Sequence, residues 1–182
     1  MAKILITGGS GLLGRAISER LIQKGHRVAW LSRQPMQVQN IEVFTWDPIK
    51  QTMQDGALNN IDTVIHLAGS GITDKRWTDK RKQELVDSRV KSSAFIWEQI
   101  LKNKAQVKRF IGASAIGIYG CSFSEETFTE NSVGPIDFLS TTCIQWEKSY
   151  APITAAGIST CVIRIGINQV WNVCAGLRHE AV

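Results

Sequence analysis

Short apolar runs alternate with amphipathic stretches along most of the chain. Lys3 to Thr7 carries Ile4, Leu5 and Ile6 without a polar break, as a strand buried on both faces should. The next stretch places Leu13, Ile17 and Leu21 on one helical stripe, with Arg15, Glu19 and Lys24 elsewhere, and stops at Gly25. Val28 to Leu31 reads as a second strand and Glu42 to Trp46 as a third, ending at Asp47-Pro48. Asp62 to Gly69 reads as a fourth strand running into a small-residue turn. A long helix is expected from Thr78 to Asn103, with Val86, Val90, Ala94, Trp97 and Leu101 as its apolar stripe. Arg109 to Ala113 is the fifth strand, ending at Ser114, and residues 120–137 form a loop. A helix over Leu139 to Ala156 stops at Gly157, and Ser159 to Ile165 is the sixth strand. This alternation predicts an α/β fold, a doubly wound parallel sheet of the Rossmann type with helices on both faces.

The first strand runs directly into Thr7-Gly8-x-x-Gly11-x-x-Gly14, and a helix follows at once. Gly8 permits a sharp turn, Gly11 lets backbone N–H groups approach phosphates, and Gly14 lets helix and sheet pack closely. The helix start adds unpaired donors and a positive dipole end. A dinucleotide pyrophosphate is the ligand this arrangement suits, with Gly8, Ser10, Gly11, Leu12, Leu13 and Gly14 as its contacts. In such a sheet, ligands bind beyond the carboxyl ends of the strands. Gly8 to Leu13, Ser32-Arg33, Asp47, Ala68-Gly69 and Ser114 should therefore converge on one edge. The second strand ends Trp30-Leu31-Ser32-Arg33 with no acid to bond a ribose 2′-hydroxyl. Arg33 instead offers a guanidinium fork to a 2′-phosphate and Ser32 a second donor, which favours NADP(H) over NAD(H).

Composition changes this picture little. The chain has 182 residues, 43% hydrophobic and 20% charged, enough for one domain with a sizeable core. Its net charge of +5 is scattered apart from Lys75-Arg76 and Lys80-Arg81-Lys82. That cluster reads as a solvated helix face, and no basic patch is interleaved with aromatics, so nucleic acid is not an expected partner. The N-terminal apolar run is too short for a signal peptide or a membrane span, which leaves the cytoplasm as the default location. Cys121, Cys143, Cys161 and Cys174 lack metal-ligand or paired spacing and read as buried free thiols. His66, inside an apolar strand, reads as a satisfied core residue, and no metal site is indicated.

Thr7-Gly8-x-x-Gly11-x-x-Gly14, His66-Leu-Ala-Gly69 and Ser114…Tyr119-Gly120 resemble the extended short-chain dehydrogenase/reductases of the sugar-nucleotide epimerase group. Leu31-Ser-Arg33, Trp46-Asp-Pro48, Asp74-Lys-Arg-Trp77, Ser88-Arg89 and Trp146-Glu147 narrow the resemblance to the atypical branch called epimerase family proteins. It spans residues 2 to about 167. It implies NADP binding, with Ser32, Arg33, Leu67, Ala68, Glu84 and Arg89 as cofactor contacts. Arg89, on the helix after the fourth strand, is placed to reach the phosphates, whereas Glu84 rests on the resemblance alone. The substrate is not specified, and a homodimer is left open.

The superfamily's usual catalytic pair is Tyr-x-x-x-Lys, in which the lysine lowers the tyrosine pKa for proton exchange. Here Tyr119 precedes Phe123 and Tyr150 precedes Thr154 at that spacing, while Phe138 and Thr142 occupy the expected positions. Ser114 remains as a residue to polarise a carbonyl and Tyr119 as a displaced acid, although a packed loop aromatic suits Tyr119 better. Two functions follow. One is an NADP-dependent oxidoreductase or epimerase-like enzyme; the other is a cofactor-binding module without turnover. The expected organisation is an NADP-binding domain over 1–167 and an atypical tail over 168–182. A truncated or frame-shifted product, its tail covering surface otherwise exposed, is one expectation for that tail; a natural minimal domain is the other.

Overall fold

The computed structural model describes residues 1–120, 127–132 and 134–166. Strands β1 (Lys3–Thr7), β2 (Arg27–Ser32), β3 (Ile41–Asp47), β4 (Thr52–Met53), β5 (Thr63–His66), β6 (Arg109–Ala115) and β7 (Ser159–Ile165) form one sheet ordered β4-β3-β2-β1-β5-β6-β7. Among the described strands only the β3–β4 pairing is antiparallel. The helices are α1 (Leu12–Gln23), α2 (Asp79–Lys102), α3 (Phe138–Lys148) and α4 (Ala151–Ala155), with a 3₁₀ turn over Ile116–Tyr119. Among the described residues no helix is long and apolar enough to cross a membrane.

Side-chain alternation along the strands builds two cores. Leu5, Val64 and Phe110 face α2, α3 and α4, packing with Phe95, Ile96, Ile100, Trp146, Tyr150 and Ile153. Ile4, Ile6, Val28, Trp30 and Ile65 face the other way, against Ile17 and Leu21 of α1. The central strands are thus apolar on both faces, as their uninterrupted runs predict. From β1 the chain builds in one direction through β2 and β3, and in the other through β5, β6 and β7. The crevice between the carboxyl ends of β1 and β5 is the switch point where such sheets bind ligands.

Four expectations need correction. The expected helix over Leu139 to Ala156 is two helices, because Pro152 in the first turn of α4 has no N–H to continue the ladder. β4, two residues long, carried no periodic signal. The buried face of α2 is not the Val86–Leu101 stripe: Ala94 and Leu101 are exposed. Its buried face is Arg81, Leu85, Arg89, Ser92, Ser93, Ile96 and Ile100, joined by Phe95. Hydropathy cannot reveal a packed stripe made half of arginine and serine. Arg81, read as part of a solvated face, is accordingly only 8% exposed. Cys161, expected to be buried, is exposed on an edge strand whose residues alternate outward, while Cys143 is buried. Cys121, Cys174 and the tail over 168–182 lie outside the described residues.

Candidate functional site

A cavity of about 600 Å³ opens at the carboxyl ends of β1, β2, β3 and β5. Gly8 and Ser10 line it from the glycine turn, Ser32 and Arg33 from the end of β2, Asp47 from β3, and Ala68 and Gly69 from the turn after β5. Glu84 lines it from α2. The convergence expected from strand-end positions is therefore present for these residues. Gly11, Leu12, Gly14 and Arg89 are near this crevice but not in its wall, whereas Leu13 and Leu67 line a separate apolar groove on the α1 side.

The glycine turn is built by close approach. Gly8 has φ +70°, and a Cβ there would stand 3.1 Å from the Leu67 carbonyl carbon. A Cβ on Gly14 would lie 2.4 Å from the Gly8 carbonyl oxygen, so only glycine lets α1 begin against the turn. The Trp30 indole lies beneath Gly9 and donates from Nε1 to Ser18 Oγ at 2.8 Å. Gly11 is the N-cap of α1 and has no side chain to bond the first-turn amides. Those donors stay available for an anion, and the dipole end adds to their pull.

At the end of β2, Ser32 Oγ is fixed by the backbone of Gln34, accepting its N–H at 3.2 Å and donating to its carbonyl at 2.7 Å. Arg33 is exposed, and among the described residues no hydrogen bond or ion pair holds its guanidinium. Asp47 turns its carboxylate inward on its own loop, accepting from Ile49 and Lys50 N–H at 2.9 and 3.0 Å. These bonds, that from Lys50 foremost, hold its pKa below the ordinary carboxylate value. It is committed to a turn and leaves Arg33 as the side chain that can meet a phosphate.

The wall formed by the turn after β5 is held from α2. Arg89 Nη2 donates to Ser70 O at 3.1 Å and Nη1 to Leu85 O at 2.9 Å, while its guanidinium lies 5.0 Å over the Trp146 ring. Arg89 thus grips the turn with its donors engaged, rather than facing the cavity. Ser88 Oγ accepts the Ser70 N–H at 3.0 Å. Arg81, which sequence reasoning missed, lines the cavity, donates to Gly71 O at 2.6 Å and pairs with Glu84 at 3.1 Å. A spacing of 81, 85, 89, 92 and 96 would have revealed it, had polar residues been allowed on a buried stripe.

The proposed catalytic residues lie elsewhere. Ser114 is 1% exposed at the end of β6, and its Oγ makes no hydrogen bond of regular geometry. It lies beside Glu147 and Cys143 of α3, favouring the Glu147 carboxylate, while burial pushes the Cys143 thiol above its usual pKa. Burial alone would raise the Glu147 carboxyl, but Arg164 and Ser114 hold it below its usual value. Tyr119 stacks on Phe128, and its hydroxyl accepts from Arg164 Nη1 at 3.0 Å. Arg164 in turn grips Glu147 through two bonds, of 2.9 and 3.0 Å. Tyr150 is buried and donates to Ala113 O at 2.8 Å, and burial pushes its pKa up. Phe138 opens α3 against Trp77, and Thr142 Oγ1 donates back to Phe138 O at 2.7 Å. No tyrosine–lysine pair stands at the cleft among the described residues.

The model of the NAD-dependent epimerase/dehydratase family matches residues 4–164, and the chain belongs to that family. Epimerase family protein YfhF of Bacillus subtilis is 40% identical over 172 residues, which are 90% of this chain and 54% of YfhF. The chain spans about half the length of the curated relatives it matches. Among solved structures it is similar to the nucleoside-diphosphate sugar epimerase of Corynebacterium glutamicum, with a TM-score of 0.74 at 33% identity, over 90% of this chain and 33% of that one. It is also similar to a human epimerase family protein solved with NADPH, with a TM-score of 0.69 at 27% identity, over 81% of this chain and 48% of that one. The fold, the glycine turn and the family together support a nicotinamide dinucleotide as cofactor. The open amides of α1 and the cavity of about 600 Å³ fit one.

Proposed function

We propose that the cleft binds NADP(H), and that the chain is the cofactor-binding part of a short-chain dehydrogenase/reductase-like protein. The observation that carries the reading is the meeting of the glycine turn, Ser32-Arg33 and Ala68-Gly69 around one cavity, with no acid ending β2. The amides of α1 and the turn at Gly8 to Gly11 hold the pyrophosphate. Arg33 takes the 2′-phosphate, Ser32 joins it once its hydroxyl turns from the Gln34 carbonyl to which it now donates, and Ala68 and Gly69 wall the opposite side. Glu84 faces the cavity beside them, held by Arg81. The NADPH complex of the human relative supports the same preference. When bound, the nicotinamide supplies hydride exchange at a carbonyl or carbinol carbon of a small-molecule substrate, as in an oxidoreductase or a nucleotide-sugar epimerase.

The second reading is a binding module without turnover, one that reports redox state to a partner. It is favoured by Phe138 and Thr142 in place of a tyrosine–lysine pair, and by the burial of Ser114. In the enzyme reading Ser114 holds the substrate oxygen, which requires the 3₁₀ turn or α3 to shift and open its hydroxyl. Tyr119, bound to Arg164, is the remaining acid for that reading.

Thermal unfolding with NADPH, NADP, NADH and NAD tests the cofactor. Ligand at about a hundred times Kd stabilises by about 2.7 kcal/mol. The phosphorylated pair should shift the midpoint and the unphosphorylated pair much less; no shift with any of the four overturns the reading. NADPH oxidation across a carbonyl substrate panel, with Ser114→Ala alongside, then separates enzyme from binder.

A further inference from the structure

Thr7 Oγ1 lies at the junction of β1 and the wall of the cleft. It accepts the N–H groups of Leu67 at 3.1 Å and Ala68 at 3.0 Å, and it stands 2.8 Å from His66 Nδ1. The other ring nitrogen, Nε2, is 3.1 Å from Ser92 Oγ on α2. Ser92 Oγ also donates to the helix carbonyl of Ser88 at 2.7 Å. Thr7, His66 and Ser92 are all fully buried, so no bulk water relieves an unmatched donor or acceptor.

Counting protons leaves one arrangement. A threonine hydroxyl has two lone pairs and one hydrogen. Ala68 N–H and Leu67 N–H, the latter shared with Thr7 O at 3.2 Å, occupy its acceptor side, and among the described residues the acceptor within reach of its hydrogen is Nδ1, which must therefore be bare. Nε2 then carries the ring proton and donates to Ser92, whose own hydrogen goes to Ser88 O. The opposite tautomer would direct three donors at Thr7 and leave the Thr7 hydrogen without an acceptor. An imidazolium would do the same. Trp46, Phe110 and Tyr150 surround the ring at 6.1 to 6.5 Å between centroids, an environment that excludes charge.

We propose that His66 is a positioning residue of the cofactor cleft, locked as the Nε2–H tautomer so that Thr7 can hold the amides of Leu67 and Ala68. Those amides fix the turn whose Ala68 and Gly69 line the cavity and against which Gly8 packs. The relay thereby ties α2, through Ser92, to the glycine turn through Thr7. Its effect on affinity rests on the cofactor reading above; the tautomer does not.

Long-range ¹H–¹⁵N spectra of the wild-type chain read the tautomer directly, with His66→Gln identifying the signals. The expected result is a bare Nδ1 and a protonated Nε2, unchanged between about pH 8 and about pH 5. A protonated Nδ1, or an imidazolium in that range, overturns the proposal. NADPH titration then reads the positioning. Thr7→Val deletes the bonds from Leu67 and Ala68 and the one to Nδ1. Leu67 keeps Thr7 O, so Ala68 is the amide left without its acceptor, and binding should weaken by about tenfold, while Thr7→Ser should restore it to within about twofold. Wild-type affinity in Thr7→Val, with NADPH binding the parent chain normally, overturns the positioning role alone. A parent chain that binds none of the four dinucleotides overturns the cofactor reading and the positioning role together, while a bare Nδ1 would still support the tautomer.

Discussion

Alanine at Gly11 and alanine at Gly14 should separate binding from folding. On Gly14 a Cβ falls 2.4 Å from the Gly8 carbonyl oxygen, 2.6 Å from Gly9 Cα and 2.7 Å from the Gly9 oxygen. All three are backbone atoms of the turn, so the turn itself must retreat by about 1 Å to reach ordinary contact. Overpacking of this kind costs about 1–3 kcal/mol. For a domain of this size that lowers Tm by about 4–8 °C at the middle of the range. On Gly11 the Cβ meets only the Gly8 oxygen, at 3.2 Å, and the backbone there is extended, at φ −74° and ψ 174°. Its folding cost is the modest one of alanine at an N-cap, under about 1 kcal/mol. The methyl group nevertheless enters the space where phosphate oxygens approach the first amides of α1. Losing one charge-assisted bond there costs about 1.5–3 kcal/mol, or about 10–100-fold in Kd. Thermal unfolding and NADPH titration of the two variants check both numbers. Gly11→Ala with full affinity would refute the phosphate position, and Gly14→Ala with an unchanged Tm would refute the packing argument.

Two further outcomes follow from buried groups. Desolvation pushes the His66 pKa down from 6.5 to about 3 in the folded chain. Below about pH 6.5 the unfolded chain therefore binds a proton that the folded chain refuses, and stability falls by about 1.4 kcal/mol per pH unit from this group alone. Above that pH the contribution is flat; urea unfolding at about pH 7, 6 and 5 should show the slope, and His66→Gln should remove it. Trp30→Phe keeps most of the ring beneath Gly9 but deletes the bond to Ser18, so denaturant unfolding should show a loss of about 1–2 kcal/mol; no loss would mean that the bond contributes nothing.

The sheet was legible where strands were uniformly apolar and ended in turn residues. β1 and β7 have the limits read from sequence, and the outer edge at β4 was missed because two residues carry no period. The cleft was legible to the extent that strand ends must meet at one edge, which brought Gly8, Ser32, Arg33, Asp47 and Ala68 together. What escaped was the machinery behind the wall. Arg81, Arg89 and Ser92 are polar residues on a buried helical stripe, the arginines bonded to Gly71 and Ser70 in the segment after β5 and Ser92 to His66 at the end of that strand. Their partners exist only after folding, so a hydropathy pattern rotates α2 toward Val86 and Ala94 instead. Ser114 shows the converse: its strand-end position was right, yet packing by α3 and the 3₁₀ turn keeps its hydroxyl from the cavity, which no local pattern encodes.

Direct titration of the chain with NADPH and NADH, repeated in Arg33→Ala, tests the cofactor assignment most closely. Arg33 is exposed, so its removal should leave the fold intact. NADPH should bind the parent chain more tightly than NADH, and Arg33→Ala should weaken NADPH by about 10–100-fold while leaving NADH within about twofold. Equal affinities for the two cofactors in the parent chain, or an equal loss for both in the variant, would contradict a 2′-phosphate site at the end of β2.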